Sequence, residues 1–353
     1  MARNYKQLSE SIKNRLNPEN ISITKAFTEE LGTISYSDIL VYIRTAMKSV
    51  EPEYTQKSKD AGERVKTHLN TVLTDKTYKY QGSVMTNTHI KGASDIDLLV
   101  ISEKFYSHDL KKINNILSDP NQKSRYYNSS IQKLENEIVR SNYSGNSIDD
   151  LHKLRIDSEN ILTPIYDICD ILKPKNIKIK NKNLNREVDV VIANWYDDVS
   201  SIINDKGEFR GVQVYNKLTR TKGKSDYPFL SIKKINEKNT QTNGRLKKMI
   251  RFLKNVKFSS QVDIKLSSFD INAICYEIEI NKYKEKSFYE LVSVIYSQLY
   301  SLSRDTQHSD DLISVDGREY IFRNNKEKHS EMLDLLKEIN DIILDLNKTP
   351  IYG

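Results

Sequence analysis

The sequence predicts an α+β protein with two lobes: a mixed, twisted sheet with flanking helices, and an all-α lobe after it. Two observations predict this class. Short segments near residues 77–83, 95–102 and 176–195 are β-branched or aromatic, alternate in polarity and end at turn residues. From about residue 232 to the end, apolar residues recur at helical spacing instead. A chain of 353 residues is long enough for one large domain or two ordinary ones.

Two helices are expected at the N-terminal side. Residues 35–50 place apolar side chains on one helical face after a serine cap. Pro52 interrupts this pattern, and a second helix rich in Lys, Glu and Ala follows over residues 53–72. Together the two form a predicted long N-terminal helical spine.

The strands come next, with a helical insertion between them. Residues 77–83 and 95–102 are predicted strands, residues 105–166 are helix-like with a break at SNYSGNS, and residues 176–195 form a hairpin that turns near 181–185. The basic, Gly-containing stretch GVQVYNKLTRTKGKSDYP is interpreted as the link between lobes. We therefore expect residues 1–215 to form the helices and sheet lobe, and residues 216–353 to form the helical lobe with a loose C-terminal tail.

Composition narrows the function only in part. The 55 basic and 48 acidic residues give a net charge of +7, which suits a phosphate-bearing partner and equally suits a solvated basic surface. No signal peptide and no run of eighteen apolar residues is present, so a soluble, cytoplasmic protein without a membrane contact is expected. Cys169, Cys275 and the six scattered histidines lack ligand spacing, which argues against zinc.

Three aspartates carry the predicted chemistry. Residues two apart in a strand share a face, so Asp95 and Asp97 point the same way, and Asp189 occupies the matching position in REVDVVIANW. Three converging carboxylates would repel each other without cations. Two Mg²⁺ ions, with Mn²⁺ as an alternative, would satisfy them, because magnesium prefers hard oxygen ligands and metal pairs serve nucleotidyl transfer.

A Gly-Ser turn precedes these aspartates by a fixed gap. Gln81, Gly82 and Ser83 end a predicted strand, and eleven residues separate Ser83 from Asp95. Such a turn presents backbone N–H groups and a hydroxyl to nucleotide phosphates, and glycine permits close approach. Each motif alone is common in loops, but their combination is specific.

Together these residues resemble the polymerase β nucleotidyltransferase superfamily, and within it the bacterial CD-NTases, the cGAS/DncV-like relatives of the oligoadenylate synthetases. Two stretches of the helical lobe support the narrower placement. In NGRLKKMIRFLKNVK, the resemblance implies that Lys254 contacts the donor triphosphate; in LSSFDINAI, it implies phosphate contact by Ser268 and base stacking by Phe269. The family carries tyrosine where Phe269 stands, so stacking is kept and a hydroxyl is lost. The alternative is that Lys254 is solvated and Phe269 belongs to the core.

The resemblance implies a magnesium-dependent nucleotidyltransferase with a polymerase β-like core and an oligoadenylate-synthetase-like C-terminal lobe. It would join ribonucleoside triphosphates into a cyclic di- or trinucleotide and release pyrophosphate. In bacterial relatives that product activates a separate effector in anti-phage (CBASS) signalling. Alternatives are a linear oligonucleotide synthetase, an enzyme that transfers a nucleotide to a drug or a tRNA end, and a non-catalytic module that binds RNA or protein.

Two further implications concern partners. DNA sensing through a zinc-bound insertion is disfavoured, since no Cys and His cluster is present. Conjugation through the C-terminal Gly353 by a ubiquitin-like system is a hypothesis taken from some bacterial relatives. The bases joined, the ring size, the linkage, the activating signal and the oligomeric state stay open.

Overall fold

The computed structural model describes residues 3–16, 37–90, 96–140 and 143–348. The chain forms two compact units, and each is assembled from separate stretches of sequence. The first unit takes residues 1–51, 86–94 and 234–353, and the second takes residues 52–85 and 95–233. The predicted contiguous division at residues 215 and 216 therefore falls inside the second unit.

The secondary structure of the described residues is mixed, which confirms the predicted fold class. The helices are α1 (Tyr5–Leu16), α2 (Asp38–Met47), α3 (Pro52–Asn70), α4 (Leu110–Ser118), α5 (Pro120–Lys123), α6 (Asn128–Ile138), α7 (Ser147–Leu162), α8 (Val199–Ile203), α9 (Pro228–Gln241), α10 (Arg245–Ser259), α11 (Ser268–Glu277), α12 (Glu290–Arg304), α13 (Thr306–Asp311) and α14 (Lys326–Asn347). The strands are β1 (Lys76–Gln81), β2 (Ile96–His108), β3 (Cys169–Asp170), β4 (Ile177–Asn181), β5 (Arg186–Asp197), β6 (Gly211–Asn216) and β7 (Thr221–Asp226).

The second unit is built on one mixed sheet with the order β1-β2-β5-β4-β3, to which β6 and β7 add beside β5. Strands β2 and β5 run parallel at its centre, while β1, β4 and β6 pair antiparallel with their neighbours. Parallel neighbours need a long crossover, and here the helical insertion α4 to α7 provides it. The predicted arrangement of strands around a helical insertion is confirmed.

Both faces of the central strands are covered. Leu98, Val100 and Val190 belong to the apolar cluster on one face, together with residues of α3 and α7. Leu99 and Val191 belong to a second cluster on the other face, with Trp195 and Phe229. This explains why the strands have almost continuous apolar runs, which is typical of buried parallel pairs.

The interpretation of residues 211–228 as a link between lobes is wrong. Residues Gly211–Asn216 and Thr221–Asp226 form an antiparallel hairpin that extends the sheet, with Tyr215 opposite Lys222. Arg220 has a positive φ of 50° in the turn. Strand β7 contains no large apolar side chain, so its pairing relies on backbone hydrogen bonds that hydrophobic periodicity does not detect.

Among its described residues, the regular structure of the first unit is helical, apart from an isolated bridge between Ile313 and Tyr320. Its core joins α2 with α10, α11, α12 and α14, and the predicted apolar stripe of the last helix is buried there. The α2 carbonyls at its C-terminal end receive hydrogen bonds from α10: Arg251 Nε donates to Met47 O at 2.8 Å, and Asn255 Nδ2 donates to Ala46 O at 2.9 Å. These bonds satisfy carbonyl groups that a helix end otherwise leaves unpaired.

The predicted N-terminal spine is two helices, since residues 48–51 separate α2 from α3 and Pro52 begins α3. Helix α2 belongs to the first unit and α3 to the second. None of the helices in the described ranges is long and apolar enough to cross a membrane. Gly353, the candidate for conjugation, lies outside the described residues.

Candidate active site

Two of the three predicted aspartates are described, and they lie side by side in the second unit. Asp97 on β2 is the register partner of Asp189 on β5. Both are half-buried, while Leu98 and Val190, which follow them, are fully buried on the opposite face. The strand alternation that predicted this geometry is therefore present in both strands. Asp95 lies outside the described residues.

The Gly-Ser turn lies against the same point of the sheet. Strand β1 ends at Gln81, which pairs with Asp97, and Gly82 follows with a φ of 87°. A Cβ added to Gly82 would lie 2.6 Å from Asp97 Oδ2. Met85 N donates to Gly82 O at 3.2 Å and closes the turn around the half-buried Ser83. Gly82 is thus required both by its backbone conformation and by the space that the carboxylate occupies.

A further polar residue, which the sequence does not predict, joins this site. Asn176 immediately precedes β4, and its Nδ2 donates to Asp189 Oδ1 at 2.7 Å. Asn176 carries no sequence signal, because it lies in the short stretch KPKN between strands and its partner is thirteen residues away.

The oxygen-rich donor set suits magnesium. Asp97 and Asp189 lie opposite each other on neighbouring strands, and hard carboxylate oxygens are the ligands that magnesium prefers. Within the described ranges no group of three His, Cys, Asp or Glu residues is found that would hold a metal ion. The third predicted ligand, Asp95, directly precedes β2. The carboxylates of Asp97 and Asp189 fit the expected metal in their chemistry, and metal binding by the three aspartates stays a prediction.

Lys254 lies in the first unit, on α10. It is 5% exposed, and its Nζ donates to Thr88 O at 3.1 Å. Burial lowers the pKa of this lysine to about 8, since a low-dielectric environment disfavours the charged form. The alternative that Lys254 is a solvated surface residue is therefore wrong. Its contact with a triphosphate stays a prediction.

Ser268 and Phe269 lie at the start of α11, also in the first unit. Ser267 is the N-cap: its hydroxyl accepts from Asp270 N at 3.2 Å, and the Asp270 carboxylate accepts from Ser267 N at 2.8 Å. Ser268, the first residue of the helix, is exposed, whereas Phe269 is half-buried and packs against the helical core. Their predicted contacts with phosphate and base stay predictions.

The comparison with known protein families divides the chain between two domains. The nucleotidyltransferase domain matches residues 75–212, and the cGAS/DncV-like nucleotidyltransferase C-terminal helical domain matches residues 233–344. The first match contains Gly82, Asp97 and Asp189, and the second contains Lys254 and Ser268.

Individual relatives match almost the whole chain. The chain is 51% identical over 347 residues to a c-di-GMP synthase of Capnocytophaga granulosa, with 98% of each chain covered. It is 42% identical to a c-di-GMP synthase of a Lachnospiraceae bacterium, with 97% of this chain and 99% of the relative covered.

Solved structures agree with this. The STING-associated CdnE c-di-GMP synthase from Capnocytophaga granulosa has a TM-score of 0.81 at 46% identity, with 98% of this chain and 99% of that chain covered. The corresponding enzyme from Flavobacteriaceae sp. has a TM-score of 0.88 at 38% identity, with 99% and 100% covered. These relatives agree with the adjacent carboxylates and the Gly-Ser turn at the central strands of the sheet. The chain therefore belongs to the cGAS/DncV-like nucleotidyltransferase (CD-NTase) family and is a cyclic dinucleotide synthase.

Proposed function

We propose that the protein joins two molecules of GTP into c-di-GMP in a magnesium-dependent reaction. Each of two successive steps forms one phosphodiester bond and releases one pyrophosphate. The observation that carries this proposal is the agreement of three relatives, 51%, 42% and 39% identical over at least 97% of this chain, each named a c-di-GMP synthase. Guanine is then the base of both donor and acceptor.

The site residues are assigned to this reaction as follows. Asp97 and Asp189, with Asp95, would hold the metal ions; when bound, magnesium supplies activation of the attacking hydroxyl and charge neutralisation of the departing pyrophosphate. Gly82 leaves space for the Asp97 carboxylate, and Ser83 and the backbone N–H groups of the turn would offer hydrogen-bond donors to a phosphate. Gln81 fixes the turn to β2 through its pairing with Asp97.

The helical unit is assigned to the donor nucleotide. Lys254 would contact the triphosphate, with Ser268 as a second phosphate contact and Phe269 as the stacking surface for the base. Support for Ser268 comes from its exposure at the first turn of α11, where backbone N–H groups also favour anions.

We further propose that the product acts as a second messenger in bacterial anti-phage (CBASS) signalling and that its effector contains a STING-type receptor domain. The support is that the similar structures from Capnocytophaga granulosa and Flavobacteriaceae sp. are described as STING-associated. Addition of purified product to such a receptor domain should raise its melting temperature, while c-di-AMP at the same concentration should raise it less. An equal response to both would contradict the pairing.

The primary test is product analysis. Purified protein is incubated with each ribonucleotide alone and with all four together, with Mg²⁺, Mn²⁺ or EDTA, beside Asp97→Asn and Asp189→Asn variants. GTP alone with a divalent metal should give a phosphatase-resistant product with the mass of c-di-GMP, absent with EDTA and in both variants. A requirement for a second base would contradict the proposed product, and a phosphatase-sensitive product would indicate a linear oligonucleotide.

A further inference from the structure

A buried arginine holds the segment that leads into the site. Residues 171–176 connect β3 to β4, and residues 172–175 are exposed, with Leu172 at 90%. Arg155 on α7 is fully buried beneath this segment. Its Nη2 donates to the carbonyl oxygens of Ile171 at 3.3 Å, Lys173 at 2.9 Å and Asn176 at 3.0 Å. One guanidinium therefore fixes the backbone at both ends and in the middle of an exposed segment.

The arginine is itself held in place. Its Nε donates to Glu159 Oε1 at 2.6 Å, one turn further along α7. Lys217, just after β6, donates to both oxygens of Glu159 at 2.9 and 2.7 Å, and its backbone N donates to Pro174 O at 2.8 Å. Burial of such an ion network is weak evidence for stability, because desolvation offsets much of the attraction. Its consequence is geometric: the network ties the segment to α7 and to the residue that follows β6.

Asn176 is the residue through which this network contacts the site. It is the last residue of the segment, its carbonyl accepts from Arg155, and its Nδ2 donates to Asp189 Oδ1 at 2.7 Å. We propose that Asn176 is a positioning residue, which fixes the carboxylate of Asp189 for metal binding, and that Arg155 holds it there. This inference rests on the proposed function, in which Asp189 is a metal ligand.

The chemistry suits an asparagine. A neutral amide N–H donates to a carboxylate without adding charge, so it restricts rotation of the Asp189 side chain and leaves its negative charge available to cations. Hydrogen-bonded partners of metal ligands typically contribute 10–100-fold to metal affinity or activity. Asn176 should therefore affect metal binding and turnover more than GTP recognition.

The test compares Asn176→Ala and Asn176→Asp with Asn181→Ala. Asn181 is the matched control: it lies at the other end of β4, and its Oδ1 accepts from Leu184 N at 3.1 Å in the hairpin turn. Mn²⁺ binding is measured by electron paramagnetic resonance in the presence of a non-hydrolysable GTP analogue. In parallel, kcat and KM for GTP are measured, and folding is checked by circular dichroism melting.

For Asn176→Ala we expect the Kd for Mn²⁺ to rise and kcat to fall, each by roughly 10–100-fold, with KM for GTP close to wild type. Asn176→Asp should lose at least as much Mn²⁺ affinity and kcat, because this change removes the hydrogen-bond donor and places a second negative charge beside Asp189. Asn181→Ala should lower the melting temperature and leave Mn²⁺ affinity and kcat unchanged.

Wild-type Mn²⁺ affinity and kcat in Asn176→Ala would overturn the inference, as would an equal loss in Asn181→Ala. Wild-type protein that binds Mn²⁺ but makes no dinucleotide would overturn the proposed function alone, because the Mn²⁺ titration of the variants would still report on Asn176.

Discussion

Replacement of Gly82 by alanine should combine backbone strain with displacement of the Asp97 carboxylate, and a control variant should separate the two effects. Alanine must adopt a φ of 87°, and its Cβ would lie 2.6 Å from Asp97 Oδ2. The neighbouring atom is the end of a flexible side chain, so the carboxylate rather than the sheet should give way.

The two effects differ in magnitude and in what they change. A left-handed conformation costs alanine about 1–2 kcal/mol, which corresponds to a melting temperature lower by a few degrees. To reach ordinary contact at 3.4 Å, the Asp97 oxygen must move by about 0.8 Å, and a misplacement of about 1 Å near reacting groups can cost about 100-fold in rate. We therefore expect a modest loss of stability and a loss of kcat near two orders of magnitude.

Gly244→Ala is the matched control, since Gly244 has a φ of 82° and an added Cβ would meet nothing within 4 Å. Both variants should lose similar stability in thermal melts, and only Gly82→Ala should lose c-di-GMP synthesis from GTP. If Gly82→Ala turned over GTP as fast as Gly244→Ala, the contact with Asp97 would have no catalytic consequence and the reasoning would be refuted.

Three other predictions concern the remaining residues. Burial lowers the pKa of Lys254 to about 8 from 10.5, so the unfolded state binds more protons than the folded state between these two pH values, and stability should rise with pH across that window. The melting temperature of Lys254→Met should not show this rise. A pH profile of the variant identical to that of the wild type would contradict the prediction. Ser267→Ala removes the N-cap contact with Asp270 N, so it should lose about 1 kcal/mol of stability and leave KM for GTP unchanged. Ser268→Ala should raise KM for GTP and leave the melting temperature unchanged. The reverse pattern in melts and kinetics would disprove the assignment of Ser267 to capping and of Ser268 to phosphate contact. Arg155→Met should lower the free energy of unfolding in urea by about 1–3 kcal/mol, because three backbone carbonyls of residues 171–176 lose their donor while Glu159 keeps its contact with Lys217. A loss below about 1 kcal/mol would contradict this.

The sequence predicts those parts of the fold that depend on local periodicity. Asp97 and Asp189 each stand as a polar residue within an alternating, largely apolar strand. The register of the two strands buries the apolar residues of both. A glycine directly after a strand predicts the turn that follows β1, where Gly82 has a positive φ. The alternation within each strand and the turn after β1 were predicted because their causes lie within a few residues of each other.

Features with distant causes were not predicted. Asn176 reaches Asp189 only after β4 and β5 have paired, and Lys254 is buried by a partner 166 residues earlier in the chain. Strand β7 carries polar side chains on both faces, so only its pairing with β6 identifies it as a strand. In each case tertiary contacts decide a structure that the local pattern leaves open.

The interleaved order of the two units has a consequence for synthesis on the ribosome. The second unit has all of its segments once residue 233 has emerged, but the first unit requires residues up to the C-terminal helix. Until α10 is made, the apolar face of α2, which includes Tyr42 and Ile43, lacks the helices that later bury it. Nascent chains that end between residue 233 and the C-terminal helix should depend most on chaperones, because they expose the apolar face of α2 before the helices that bury it are complete.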